Sequence, residues 1–227
     1  MKYKSVFDII GPVMVGPSSS HTAGAARIGL LGRKLFGHTP DHVDIHLYGS
    51  FKDTYQGHGT DVALIGGLLG FDTDDSRIIK AKEYADEQNL RTNFILHEEE
   101  RSHPNTAIVD LLKGDDRLKI EGISIGGGKI ELVSINDYEI NISGNYHSLL
   151  VFHKDTFGTI ARVTTVLGNN EINVSQMNVS RKEKGDIALM TIELDEEISE
   201  AVIQEVENID GVEPVSYTHL TLPTTPY

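Results

Sequence analysis

The order of predicted strands and helices after residue 145 constrains the fold most strongly. The apolar patterning there predicts six elements in sequence. They are a strand at 147–155, a helix at 156–170, strands at 171–183 and 184–195, a helix at 199–210 and the start of a strand at 211–215. This β-α-β-β-α-β order is typical of a ferredoxin-like unit. Its length of about 70 residues suits a small separate domain.

Residues 1–145 show a mixed pattern. The stretch 23–37 is rich in Ala and Leu and ends at a glycine, which predicts a helix. Alternating apolar residues over 42–51 predict a half-buried strand, and a glycine-rich turn leads into a buried helix over 57–70. The predicted fold class is therefore α+β, with a mixed α/β domain at 1–145 followed by the ferredoxin-like domain at 146–215.

The last residues differ in composition from the rest of the chain. The segment 215–227 contains two prolines and no Asp, Glu, Lys or Arg. Residues 215–224 resemble the translation of a common sequencing-library transposon end. We therefore expect 216–227 to be a non-native tail, and a native polar tail is the alternative.

Charge and cysteine content exclude several classes of function. The chain has 34 acidic and 20 basic residues, a net charge of −14, which argues against binding to nucleic acid or anionic membranes. No segment is apolar enough to predict a signal peptide or membrane span, so we expect a cytoplasmic protein. With no cysteine, the chain can form neither a disulfide nor a thiolate metal site.

The segment Gly16–Thr22 reads GPSSSHT and precedes the first predicted helix. A serine here can cap the helix. Several hydroxyls beside free helical N–H groups can also bind a carboxylate or phosphate. A serine nucleophile is disfavoured because the Gly-x-Ser-x-Gly elbow is absent and neighbouring Ser and His side chains rarely face each other.

Three further motifs allow both structural and functional interpretations. His58 lies between glycines in GHGTD (57–61) and could act as a general base, although a flexible surface turn has the same composition. Asn105 in HPNT (103–106) could bind a ligand carboxylate or amine, or only shape a turn. The segment SIGGGKI (124–130) lacks the first glycine and the Ser/Thr of a phosphate loop, which predicts a glycine hairpin or bulge.

Taken together, these motifs and the strings SVFDIIGPVMVGPSSSHTAGAARIG and YGSFKDTYQGHGTDVA resemble the β chain of bacterial iron–sulfur-dependent L-serine dehydratase. From about residue 148 the chain resembles an ACT domain, a regulatory amino-acid-binding module. The loop Asp155–Gly158 and the strand at 172–174 fit its pattern. The first domain also resembles the allosteric substrate-binding domain of some phosphoglycerate dehydrogenases.

The resemblance implies an L-serine ammonia-lyase that converts L-serine to pyruvate and ammonia. Such enzymes use a [4Fe-4S] cluster and no pyridoxal phosphate. Because this chain has no cysteine, the expected partner is a dehydratase α chain that ligates the cluster. Self-association through the ACT domain is a further expectation, and no nucleic-acid or membrane partner is expected.

The resemblance also implies roles for individual residues, and no metal ligand among them. His58 is the expected catalytic base, with Thr60 beside it. The expected substrate-binding residues are Ser18, Ser20, His21, Thr22 and Asn105. The expected regulatory residues of the ACT domain are Asp155, Gly158 and Asn173. The alternative function is a purely regulatory subunit that binds an amino acid and contributes no catalytic group.

Overall fold

The computed structural model describes residues 12–218, which form two compact units. The first unit ends at Asp137 and the second begins at Tyr138. This division lies shortly before the boundary expected between 145 and 146, which stays a prediction. No helix in the described range is both long and apolar enough to cross a membrane.

The first unit combines helices with a mixed sheet, as the sequence predicts. Its helices are α1 (Ala25–Phe36), α2 (Gly49–Thr54), α3 (Thr60–Leu68) and α4 (Ala81–Glu87). Its strands are β1 (His42–Tyr48), β2 (Arg91–Leu96), β3 (Thr106–Lys113), β4 (Asp116–Gly126) and β5 (Lys129–Ile135). Within the unit the strands lie in the order β2-β1-β3-β4-β5, and only the β1–β2 pair is parallel. The β4–β5 connection confirms the predicted glycine hairpin.

Helices α1 and α3 pack with their backbones in direct contact. A methyl group on Gly67 would overlap the carbonyl oxygen of Ala26, and one on Gly29 would overlap that of Leu64. Only glycine permits this approach, since the neighbouring atoms belong to backbone that cannot move aside. Each helix directly follows one of the two histidine-containing motifs. The close helix packing therefore brings those motifs together.

The prediction of a strand over 42–51 is wrong at the C-terminal end of that range. Strand β1 ends at Tyr48, and the next residues form the short helix α2. Gly49 turns the chain with φ of 50°. A Cβ there would also lie 2.7 Å from the carbonyl oxygen of Pro104. Phe51 is fully buried, as the strand pattern required, so alternation alone could not reveal the turn.

The second unit confirms the ferredoxin-like prediction. After β6 (Tyr138–Ile142), its elements are β7 (His147–Lys154), α5 (Thr159–Asn169), β8 (Val174–Arg181), β9 (Ile187–Leu194), α6 (Glu200–Glu207) and β10 (Val212–Thr218). The four strands from β7 onward lie in the order β10-β7-β9-β8 and pair antiparallel. Their core lies against the two helices and includes Leu149, Val151, Val163, Met190, Ile192 and Val206.

The final strand extends into the segment expected to be a non-native tail. Ser216 pairs with Leu150, and Thr218 pairs with Ser148. The remainder of that segment, 219–227, lies outside the described residues. The expectation of a non-native tail stays a prediction.

Candidate functional site

The four N-terminal motifs meet around a π-helical turn, Ser19–Gly24, that leads into α1. Gly24 packs against Ser124 of the SIGGGKI segment so closely that a Cβ on Gly24 would overlap its Oγ. Ser124 in turn accepts a hydrogen bond at its carbonyl oxygen from Asn105 Nδ2, at 3.3 Å. π-Helical turns are rare and are frequent at functional sites.

Ser18 caps this turn, which confirms the capping interpretation of the motif. Its Oγ accepts from the backbone N–H of His21 at 3.1 Å. The Oγ atoms of Ser18 and Ser20 are 3.3 Å apart. Capping uses a lone pair of the Ser18 hydroxyl and leaves its proton free, so it is compatible with ligand binding.

Both ring nitrogens of His21 have hydrogen-bond partners. Nδ1 is 3.0 Å from Ser20 Oγ and 3.3 Å from Ser18 Oγ. Nε2 is 2.8 Å from the Oγ of Ser50, in helix α2. Burial, followed by the neighbouring His58 ring, lowers the pKa of His21. This shift favours the neutral ring, which has one donor and one acceptor nitrogen.

His58 lies beside His21 and has a free nitrogen. The two ring centroids are 5.0 Å apart, with the planes at 62°. The Nδ1 atom of His58 is buried and finds no hydrogen-bond partner among the described residues. The His58 loop is held through its backbone, whose N–H donates to Thr54 O at 2.9 Å. The loop is thus held through its backbone, while Nδ1 of the ring has no partner in the described part of the chain.

Two buried threonines join the histidine loops in a crossed pair of hydrogen bonds. Thr22 Oγ1 donates to the carbonyl oxygen of His58 at 2.9 Å. Thr60 Oγ1 donates to the carbonyl oxygen of His21, also at 2.9 Å. Both threonines are almost fully buried, at 3% and 0% exposure. This geometry favours a positioning role for them, and direct contact of either hydroxyl with substrate stays a prediction.

Asn105 and Ser124 each carry a buried polar atom that lacks a partner in the described part of the chain. These atoms are Asn105 Oδ1 and Ser124 Oγ. With His58 Nδ1 they make up three of the five such atoms found in residues 12–218. Leaving a buried polar group unpaired costs about 1–3 kcal/mol. Their concentration around one turn therefore indicates a binding site.

Sequence reasoning missed two residues of this cluster. The sequence does not identify Ser50 as a site residue, because the alternating pattern that predicts a strand continues past it. The glycine before it is a turn signal. Ser124 lies in the SIGGGKI segment, whose glycines predict a hairpin or bulge bordering the site but single out no serine. Neither serine belongs to a motif that predicts chemistry by itself.

The chain's own residues do not fit an iron–sulfur cluster. Such clusters are held by cysteine thiolates, and the sequence has no cysteine. In the part of the chain that the structure describes, no three His, Cys, Asp or Glu side chains are grouped closely enough to hold a metal ion.

The three residues expected to form a regulatory site do not lie together within one chain. Asp155 follows β7, where its Oδ2 accepts from Arg181 Nη1 at 2.7 Å. Gly158 precedes α5 with φ of 82°. Asn173 precedes β8, and its Nδ2 donates to Asp195 Oδ2 at 2.5 Å. Asp155 N donates to Asp186 O just before β9, and Asn173 contacts Asp195 just after it, so the length of β9, about 24 Å, separates the two residues.

Comparisons with known proteins agree with these two units. A family model described as the serine dehydratase beta chain matches residues 5–133, and an ACT domain model matches 147–211. A probable L-serine dehydratase beta chain of Bacillus subtilis (strain 168) is 51% identical over 212 residues, covering 93% of this chain and 96% of the relative. The L-serine dehydratase beta chain of Peptoniphilus asaccharolyticus is 34% identical over 218 residues, covering 95% and 98%. A D-3-phosphoglycerate dehydrogenase of B. subtilis is 27% identical over 159 residues, covering 70% and 30%.

Proposed function

The chain belongs to the serine dehydratase β-chain family, and on that premise we propose that it supplies the base and the substrate cradle of an L-serine dehydratase. One observation carries the proposal. The ring of His58, whose buried Nδ1 has no partner among the described residues, has its centroid 5.0 Å from that of His21. His21 is in turn hydrogen-bonded to serine hydroxyls. A base held beside polar groups that can fix an amino acid is the arrangement that elimination requires.

His58 is the proposed base that removes the Cα proton of L-serine. The electron pair from that bond forms the Cα–Cβ double bond as the β-hydroxyl leaves as hydroxide, and the hydroxide and the abstracted proton together make one molecule of water. The enamine product tautomerises to an imine, which water hydrolyses to pyruvate and ammonium. We assign no side chain of the described residues to the leaving hydroxyl and propose that a partner supplies that part of the site.

The substrate's charged groups match the polar atoms around the π-helical turn. Ser18 and Ser20 lie where helical N–H groups and the helix dipole favour an anion, so we assign them the carboxylate of L-serine. The unpaired Oδ1 of Asn105 is an acceptor, which suits the ammonium group. We assign His21 the role of positioning the two serine hydroxyls through its Nδ1 atom.

A [4Fe-4S] cluster carried by a dehydratase α chain completes the proposed enzyme. When bound, such a cluster supplies a Lewis-acidic iron for the leaving hydroxyl. Since this chain has no cysteine, the ligands must come from the other polypeptide. A cytoplasmic location, inferred from the sequence alone, is part of the proposal.

Co-expression with the α chain tests this composite enzyme. We expect the two polypeptides to elute together in size-exclusion chromatography, with iron and acid-labile sulfide in that peak. The β chain expressed alone should elute without iron. Separate elution of two well-folded chains would contradict the proposal.

Replacing Thr60 with Val should slow the reconstituted enzyme. The variant loses the hydrogen bond to the His21 carbonyl, worth about 1–1.5 kcal/mol, so we expect kcat to fall about tenfold with a smaller change in KM. Thr60→Ser keeps the hydroxyl and should recover most of the rate. Equal kcat values for the Val and Ser variants would show that the crossed hydrogen bonds do not position the histidines.

We further propose that the ACT domain regulates the enzyme and self-associates. Strand β8 lies at the edge of its sheet, with Met177 and Val179 exposed at 40% and 37%. Antiparallel pairing of two β8 strands would put Asn173 of one copy near Arg181 of the other. Since Arg181 contacts Asp155, a ligand held by both expected regulatory regions would lie between two chains.

A further inference from the structure

Four side chains form a continuous hydrogen-bonded path that ends at a residue with no role assigned so far. The path runs from Ser18 and Ser20 through His21 to Ser50. Its shortest link is the 2.8 Å contact between His21 Nε2 and Ser50 Oγ. Because a neutral imidazole donates at one nitrogen and accepts at the other, the path can have only two directions.

The two directions present a ligand with different numbers of hydroxyl donors. In the first, Ser50 donates to Nε2, and the Nδ1–H of His21 donates to Ser20, whose own proton stays free. In the second, His21 donates from Nε2 to Ser50, and the Ser20 proton is used on Nδ1. The first direction therefore leaves the protons of both hydroxyls free for a ligand, whereas the second leaves only one of them free.

The contacts of Ser18 favour the first direction. Its Oγ already accepts from the backbone N–H of His21 at 3.1 Å and lies 3.3 Å from Nδ1. An Nδ1–H can be shared between the oxygens of Ser18 and Ser20. A single Nδ1 lone pair, in contrast, can take the proton of only one of these hydroxyls. The surrounding helix start also supplies N–H donors, so a cradle made wholly of donors suits an anion.

We propose that Ser50 is a positioning residue that holds His21 as the Nδ1–H tautomer and so directs the hydroxyl protons of Ser18 and Ser20 at the carboxylate of the substrate. The inference rests on the proposed function, because it assigns the carboxylate to these two serines. It makes an α-carboxylate, rather than a neutral amide or an amine, the group that this part of the site selects.

The tautomer can be measured directly on the full chain labelled with ¹⁵N-histidine. Long-range ¹H–¹⁵N correlation spectra distinguish a protonated from an unprotonated ring nitrogen, and a His21→Asn variant assigns the signals among the ten histidines. We expect His21 to be protonated at Nδ1 in the unsubstituted chain and in Ser50→Thr. In Ser50→Ala we expect the share of the Nδ1–H form to fall, because Nε2 loses the hydroxyl that donates to its lone pair. A His21 protonated at Nε2 in the unsubstituted chain would overturn the proposal.

Kinetics of the reconstituted enzyme give a second, independent readout. Ser50→Ala should raise KM for L-serine about tenfold, with a smaller change in kcat, since the lost interaction orients groups that bind the ground-state carboxylate. Ser50→Thr should remain within about twofold. An unchanged KM in Ser50→Ala would refute the role of Ser50.

These outcomes separate the inference from the proposed function. If the enzyme consumes L-serine and depends on His58, but Ser50→Ala changes neither KM nor the tautomer, only the role of Ser50 is refuted. If the reconstituted complex does not consume L-serine, the proposed function fails, and the spectra of the unsubstituted chain still decide the tautomer.

Discussion

Replacing His58 with Ala in the reconstituted enzyme should lower kcat for L-serine by about 10²–10⁴-fold, the usual contribution of a positioned general base. The reason is the free, buried Nδ1 of this ring and its place beside the serine and histidine cluster. Binding of L-serine should change little, because the proposed base acts on the Cα proton and we assign the charged groups to other residues. Steady-state pyruvate formation measures both parameters.

His42→Ala is a matched control. His42 lies at the start of β1, where its Nε2 is 3.1 Å from Asp44 Oδ1, and helix α2 with Ser50 follows the opposite end of that strand. This variant should keep nearly all of the activity. If His58→Ala also keeps kcat and changes only the dependence on serine concentration, the purely regulatory alternative is favoured.

Replacing Gly67 with Ala should destabilise the first unit by about 2–3 kcal/mol. The added methyl would overlap the Ala26 carbonyl oxygen and lie 2.6 Å from the Leu30 nitrogen. Both atoms belong to the backbone of α1, so the helices must move apart. Urea unfolding followed by circular dichroism should show the midpoint lowered by about 1 M.

Gly168→Ala controls for the change in helix propensity. Gly168 lies near the end of α5, and a Cβ there meets no atom within 4 Å. That variant should gain about 0.5–1 kcal/mol. The Gly67 variant should also lose activity when it is folded, because separating α1 from α3 separates the histidine loops. A Gly67→Ala chain as stable and active as the unsubstituted one would show that the close helix contact is not needed.

The elements that sequence patterning predicted well are those with strong periodicity. The six elements of the ferredoxin-like unit and helix α1 are examples, because their apolar residues alternate or recur at helical spacing. The helix α2 was missed because Phe51 is buried in either conformation. The turn at Gly49 depends on contact with Pro104, which is distant in sequence.

The candidate site was only partly accessible from the sequence. Local composition identified His58 and Ser18 as candidates, but it could not show that the two histidine loops meet. The two loops meet because Gly29 and Gly67 have no side chains and so let helices α1 and α3 pack closely. The sequence alone does not show that these glycines face the opposite helix. Ser50 and Ser124 were missed for the same reason, since their partners are contributed by distant segments.

The central claim is that this chain forms one half of a catalytic site. The most direct test is pyruvate formation from L-serine by the purified β chain, by the α chain that we propose carries the cluster, and by their mixture under anaerobic conditions. We predict turnover by the mixture only, and loss of that turnover when the β chain carries His58→Ala. Turnover by the β chain alone, or full turnover by the α chain alone, would contradict the account.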